Sequence, residues 1–129
     1  MIVLDTHVWV WWVSQTPQWT AQLEQTLQAH QTTGLGVSLI SCWEVAKLVE
    51  VGRLQLTIAT LDWLHQALAY PGVQLLDLTV PIVVESTQLP GTFHRDPADQ
   101  IIVATARVYN APILTVDSKI LAYPHVQTL

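Results

Sequence analysis

Apolar residues along this chain fall into short unbroken blocks separated by stretches with helical spacing, and the alternation reads as strand, helix, strand, helix. Met1 to Leu4 is a β-type run that stops at Asp5-Thr6, and the bulky stretch His7 to Val13 follows as a helix. Thr16-Pro17 has the form of an N-cap with proline at the first helical position, and Trp19, Leu23 and Leu27 repeat every four residues on one face up to a stop at Gly34. Leu35 to Ile40 predicts a second, fully buried strand, after which Ser41-Cys42-Trp43-Glu44 matches a capping box opening a helix that ends near Gly52. A further helix is expected over Thr60 to Ala69, a turn at Pro71-Gly72, a third strand over Val73 to Leu78 and a helix over Val80 to Gln88 that accepts Pro81 in its first turn. After a loop over Leu89 to Arg95, Asp96-Pro97-Ala98-Asp99 starts a long helix to about Tyr109. Pro112 to Val116 is a fourth strand, Asp117 opens a short helical turn, and a brief strand near Val126 closes the edge.

Strands joined by helical crossovers require a mainly parallel sheet, and continuous apolar strands mean that helices cover both of its faces. The expected fold class is therefore α/β, with three layers, helix on sheet on helix. No linker, repeat or low-complexity segment interrupts the 129 residues, so 1–129 is expected to be one domain.

Composition narrows what such a domain can do. Half of the residues are hydrophobic and 12% are charged, which excludes a disordered or acidic-tail protein. Six tryptophans in so small a chain suggest apolar surface meant for a partner, a second copy or a bound regulator. The net charge of −5 argues against broad attraction to nucleic acid, so any chemistry on it must be local and metal-assisted. The single Cys42 excludes an internal disulfide, no signal peptide is read at the amino end, and the densest apolar run, Val8 to Val13, is far below the roughly 20 residues that span a bilayer. The expectation is a cytoplasmic protein with no membrane association.

Five of the ten acidic residues, Asp5, Glu44, Asp96, Asp99 and Asp117, stand where an apolar run ends or a helix begins. In an open parallel sheet, residues just past the carboxyl ends of the strands line one shared crevice. Carboxylates gathered there repel, and a hard divalent cation relieves the repulsion. Each acid also has a capping explanation: Asp96 as N-cap with Asp99 at N3, Glu44 as the N3 member of a box with Ser41, Asp117 as cap of the last turn. Capping does not account for four separate sheet exits each delivering a carboxylate.

The segments Ile2-Val3-Leu4-Asp5-Thr6-His7, Ser41-Cys42-Trp43-Glu44-Val45, His94-Arg95-Asp96-Pro97-Ala98-Asp99-Gln100 and Leu114-Thr115-Val116-Asp117 resemble the successive acidic motifs of the PIN-domain ribonucleases, and in particular the VapC toxins of bacterial toxin–antitoxin systems. The resemblance spans nearly the whole chain in order. It implies a PIN-like fold, a Mg²⁺- or Mn²⁺-dependent endoribonuclease acting on RNA, a homodimer, and a cognate antitoxin. By position, Asp5, Glu44, Asp99 and Asp117 match the family's acidic set, and Asp96 the additional acid of this branch. Mg²⁺ takes oxygen ligands and keeps several waters, so one or two direct carboxylates with outer acids suit it. Asp5 and Asp99 are expected as direct metal ligands, Asp117 and Glu44 as further ligands or water-orienting groups, and Thr6 and Ser118 as supporting hydroxyls. Arg95 is a candidate phosphate contact or ion-pair partner, as is Lys119. His7 is read as a packed histidine, the tryptophans Trp9, Trp11, Trp12, Trp43 and Trp63 as core or dimer interface more than base platforms, and Cys42 as inert.

Two other functions compete. A phosphoacceptor receiver domain needs paired acids after the first strand, an acceptor Asp after the third and a Lys after the last, and this chain offers Asp5 alone, with Asp77 inside the third apolar run. A catalytically silent scaffold would use the same acids to bind a regulator's arginine; metal-dependent RNA cleavage separates it from the enzyme.

Overall fold

The computed structural model describes residues 1–129. Four strands are joined by pairs of helices, with a seventh helix after the last strand: β1 (Ile2–Leu4), α1 (Thr6–Ser14), α2 (Ala21–His30), β2 (Leu35–Ser38), α3 (Leu39–Glu50), α4 (Thr60–Leu68), β3 (Val73–Leu76), α5 (Val80–Ser86), α6 (Pro97–Tyr109), β4 (Ile113–Leu114) and α7 (Ser118–Leu121). The sheet order is β3-β2-β1-β4 and every pairing is parallel, with Ile2 opposite Leu35 and Leu4 opposite Leu114. The α/β three-layer expectation holds. None of the helices is long and apolar enough to cross a membrane.

Alternation along the strands sends side chains to two cores, because successive residues of a strand face opposite ways. Ile2, Leu4, Leu35, Val37 and Leu114 pack with Val8, Trp9, Trp12, Val45 and Trp63 on one face. Val3 and Ile113 pack with Ile102, Val103, Ala106, Ile120 and Tyr123 on the other. Trp9 is wholly buried, with its ring 5.4 Å from that of Trp63 in an edge-on arrangement, while Trp12 meets Tyr70 at 5.2 Å. Such pairs add about 0.5–1.5 kcal/mol beyond the area they bury. Gly36 lets the middle of the sheet close up: a Cβ there would stand 2.7 Å from Leu76 Cδ1.

Several boundaries differ from the sequence reading, each for a local reason. The strand expected over 35–40 ends at Ser38, whose hydroxyl accepts from Ile40 N and caps α3, so the helix begins before the Ser41-x-x-Glu44 box. Leu39 and Ile40 look like strand because a short apolar run does not distinguish strand from buried helix. Thr16-Pro17 does not start α2; Trp19 N bonds Thr16 O in a turn, and Thr20 is the cap, accepting from Leu23 N. β3 stops at Leu76, since at the sheet edge only Leu76 of this strand is buried. The brief strand expected near Val126 is a single parallel bridge between Ile113 and Thr128.

Candidate active site

Parallel strands put their carboxyl ends on one side of the molecule, and the segments that leave β1, β2 and β4 there carry Asp5, Glu44 and Asp117. Asp5 follows β1 directly and caps α1, its Oδ1 accepting from Thr6 N at 2.8 Å. Its Oδ2 accepts from Thr115 Oγ1 at 2.7 Å, just past β4. Thr115 Oγ1 in turn accepts from Asp117 N at 3.0 Å, and Asp117 Oδ1 accepts from Lys119 N and Ile120 N at the start of α7. On the other side of Asp5, Thr6 Oγ1 donates to Glu44 Oε1 at 2.5 Å and lies 2.8 Å from Ser41 Oγ. Glu44, Thr6, Asp5, Thr115 and Asp117 thus form one hydrogen-bonded chain across the carboxyl ends of β1 and β4.

The remaining acids come from α6. Asp96 caps it, Oδ1 accepting from Ala98 N and Asp99 N, and Pro97 occupies the first turn where its missing N–H costs nothing. Asp99 does not complete a reciprocal cap. Its Oδ2 lies 3.0 Å from His94 Nε2, off the ring N–H direction, so the contact is not an aligned hydrogen bond. The imidazole is held from behind, where Nδ1 accepts from Asp96 N at 3.4 Å, and the His94 carbonyl accepts from Gln100 Nε2.

Electrostatics ties these groups together. The Asp99 carboxyl is pushed up to about 7, first by burial and then by the charges of Asp96, Asp5, Glu44 and Asp117. Burial also raises Asp5, against the hydrogen bonds from Thr115 and Thr6, with the charge of Asp117 adding to the rise. Glu44 is raised by burial, with Asp5 and Asp96 contributing and the Thr6 bond opposing. For Asp5, Glu44 and Asp99 burial raises the affinity for protons more than mutual repulsion does, and the charges of Asp96 and Asp117 act on the same carboxylates.

Oxygen is the only donor type among the five acids, and the uncompensated negative charge suits a hard divalent cation. No three acidic, histidine or cysteine groups stand together in an arrangement that could by itself hold a metal ion. Asp5 has both oxygens engaged, Glu44, Asp96 and Asp117 one each, and Asp99 faces His94. A cation that retains its waters and takes one or two direct carboxylates fits such a ring. Asp5 and Asp99 would hold it, with Glu44 and Asp117 as further ligands or water-orienting groups.

Thr6 is where the sequence put a supporting hydroxyl. Ser118 is exposed and makes no hydrogen bond to the acids; Thr115 does that work at the β4 exit. Arg95 and Lys119 are exposed and form no salt bridge with the carboxylates. Cys42 lies within α3, half-buried, its thiol pushed up by burial. Sequence reasoning missed Thr115, Ser41 and His94. Ser41 was hidden by its resemblance to a cap, and Thr115 had a signal, a hydroxyl two residues before Asp117 at a strand exit.

The PIN domain family model matches residues 2–126. This chain belongs to the PIN-domain family. It is 32% identical over 124 residues to Ribonuclease VapC22 of Mycobacterium tuberculosis, covering 96% of this chain and 92% of that protein. Among solved structures, this PIN domain is similar to one of VapBC2 from Rickettsia felis bound to a promoter DNA fragment, with TM-score 0.73 at 18% identity over all of this chain and 98% of that one. It is also similar to one of FitAcB from Neisseria gonorrhoeae, with TM-score 0.71 at 23% identity over all of this chain and 96% of the other. These two likenesses concern the fold.

Proposed function

We propose that this PIN-domain protein is a divalent-metal-dependent endoribonuclease and the toxin half of a VapBC-type toxin–antitoxin pair, acting in the cytoplasm. The observation that carries the proposal is the gathering of Asp5, Glu44, Asp96, Asp99 and Asp117 around one crevice, with Asp99 pushed up to about 7 among them. The likeness to Ribonuclease VapC22 over nearly the full length supports RNA as substrate. Structures of VapBC2 and FitAcB among the neighbours are in keeping with an antitoxin partner.

When bound, Mg²⁺ or Mn²⁺ would supply an activated water and offset charge on the scissile phosphate. The chain's own residues do the rest. Asp5 and Asp99 would hold the cation, and Glu44 and Asp117 would be further ligands or groups that orient water for attack. Thr6 and Thr115 lock Glu44 and Asp5 in place, so that the acids need not reorganise as substrate arrives. Arg95, exposed and unpaired beside the α6 N-terminus, is available to a phosphate. An antitoxin silences the crevice by inserting Arg or Lys among the same carboxylates. A homodimer would cover the exposed Val80, Val83 and Val84 of α5.

The test is RNA cleavage with added Mg²⁺ or Mn²⁺ by the wild type, Asp5→Asn and Asp99→Asn, alongside thermal melting of each. Loss of cleavage in folded variants is expected. Full activity in a well-folded Asp5→Asn or Asp99→Asn protein would sink the metal mechanism.

A further inference from the structure

Trp43 stands one residue before Glu44 on α3, and its side chain is 57% exposed, unlike the tryptophans Trp9, Trp12 and Trp63 that build the core. It is the aromatic wall of a cavity of about 370 Å³ whose other walls are Ile40, Pro97, Ala98 and the acids Glu44 and Asp96. The cavity is therefore continuous with the acidic crevice and shares two carboxylates with it. Asp96 uses Oδ1 for both of its capping bonds, which leaves Oδ2 without a protein donor.

We infer that this cavity is a nucleobase subsite, in which the base of a nucleotide flanking the scissile phosphate stacks on Trp43 and offers an N–H donor to Asp96. The inference rests on the proposed cleavage of RNA at the acid cluster. A phosphate held there keeps its neighbouring base within one nucleotide's reach of the indole. Aromatic faces hold unpaired bases without needing positive charge, which this chain of five Lys and Arg residues does not have to spare. An apolar protein side chain in the same place would take water from Glu44 and Asp96 and give no hydrogen bond back, whereas a base edge brings donors. Carboxylate oxygens only accept, so the subsite favours guanine, whose edge presents N1–H and an exocyclic amino group side by side, over uracil, whose single N3–H stands between two carbonyl oxygens that a carboxylate repels.

The experiment uses the full chain with Mg²⁺ and a pool of single-stranded oligoribonucleotides of randomised sequence, reading cleavage termini by sequencing and KM and kcat on one cleaved oligomer. Wild type is expected to disfavour uracil at one nucleotide beside the cut. Trp43→Ala should raise KM by about 5- to 150-fold, the equivalent of one lost stacking contact, and flatten the bias, while Trp43→Phe restores both. Binding of the same oligoribonucleotide to Asp99→Asn without added metal, followed by fluorescence anisotropy, should weaken by the same factor when Trp43→Ala is added. Unchanged KM, bias and binding in a Trp43→Ala protein that melts like wild type would overturn the inference. The same result accompanied by lost dimerisation or lost antitoxin binding would overturn it in favour of a protein-binding face. An inactive Asp99→Asn with an unaltered Trp43→Ala defeats the subsite alone, whereas an active Asp99→Asn defeats the cleavage site on which the inference rests.

Discussion

Asp5 and Asp96 do the same backbone job in opposite surroundings. Each precedes a helix and accepts a backbone N–H from its first turn. Asp5 is 5% exposed, has a second bond from Thr115, and is raised by burial. Asp96 is exposed, and its second oxygen has no protein donor. Capping and site chemistry are thus compatible duties, and what separates the two acids is the desolvation around them. On the proposed function, a buried carboxylate that stays in place through fixed hydroxyl bonds would be held ready for a cation, at a cost in stability when no cation is present. An exposed one at a helix end costs nothing and supplies charge at a distance.

The strongest way to break this comparison is to exchange charge for amide on each side. Asp5→Asn should lower RNA cleavage by at least about 10²–10³-fold, the scale of losing one preorganised electrostatic contact, while Asp96→Asn should lose far less. Equal losses measured in the same cleavage assay would mean that burial does not separate their roles.

A sharper version compares the hydroxyls at the β4 exit. Thr115→Val removes the donor to Asp5 and the acceptor for Asp117 N, and an outer partner of a metal-binding carboxylate is worth about 10–100-fold in metal affinity or activity. Ser118→Ala touches none of the acids and should leave cleavage unchanged. Mn²⁺ titration by calorimetry would check both variants independently of activity.

The acids predict a pH effect of definite sign. Asp99 ionises at 3.8 when unfolded and at about 7 in the fold, so between those values the folded state binds more protons. Without metal, stability should therefore be greatest near the lower value and fall as pH rises toward 7; Asp5 and Glu44 push in the same direction. Mg²⁺ should reverse the trend by stabilising the ionised form, and its affinity should weaken as pH falls below about 7. Melting temperatures across that range, with and without Mg²⁺, measure both slopes. The smallest effect belongs to the cap: Asp96→Ala should cost about 0.5–2 kcal/mol and Asp96→Asn little, by denaturant unfolding.

The parallel sheet and its helical layers were legible because β1, β2 and β4 are buried on both faces and their sequences are unbroken apolar runs. The acids were legible because they stand at the ends of those runs. The competing explanation of Glu44, as the far member of a Ser41 cap, fails because Ser38 caps the helix, and both Ser41 and Glu44 meet Thr6 instead. The His94 contact with Asp99 could not be read, since it depends on the path of the irregular loop before α6 and on no periodic pattern. Likewise, nothing in the spacing of the tryptophans distinguishes Trp43, on the open side of α3, from Trp9 in the core.

The bond between Asp5 and Thr115 joins positions 110 residues apart, and Asp5 N also donates to Leu114 O in the last strand to be made. A chain emerging from the ribosome carries its first acid almost at once and its partner only near the end of translation. Until β4 pairs with β1, Asp5 has neither its hydroxyl donor nor its backbone acceptor at that exit. A growing chain therefore holds no assembled crevice, and whatever the finished protein cuts is spared by its own nascent form.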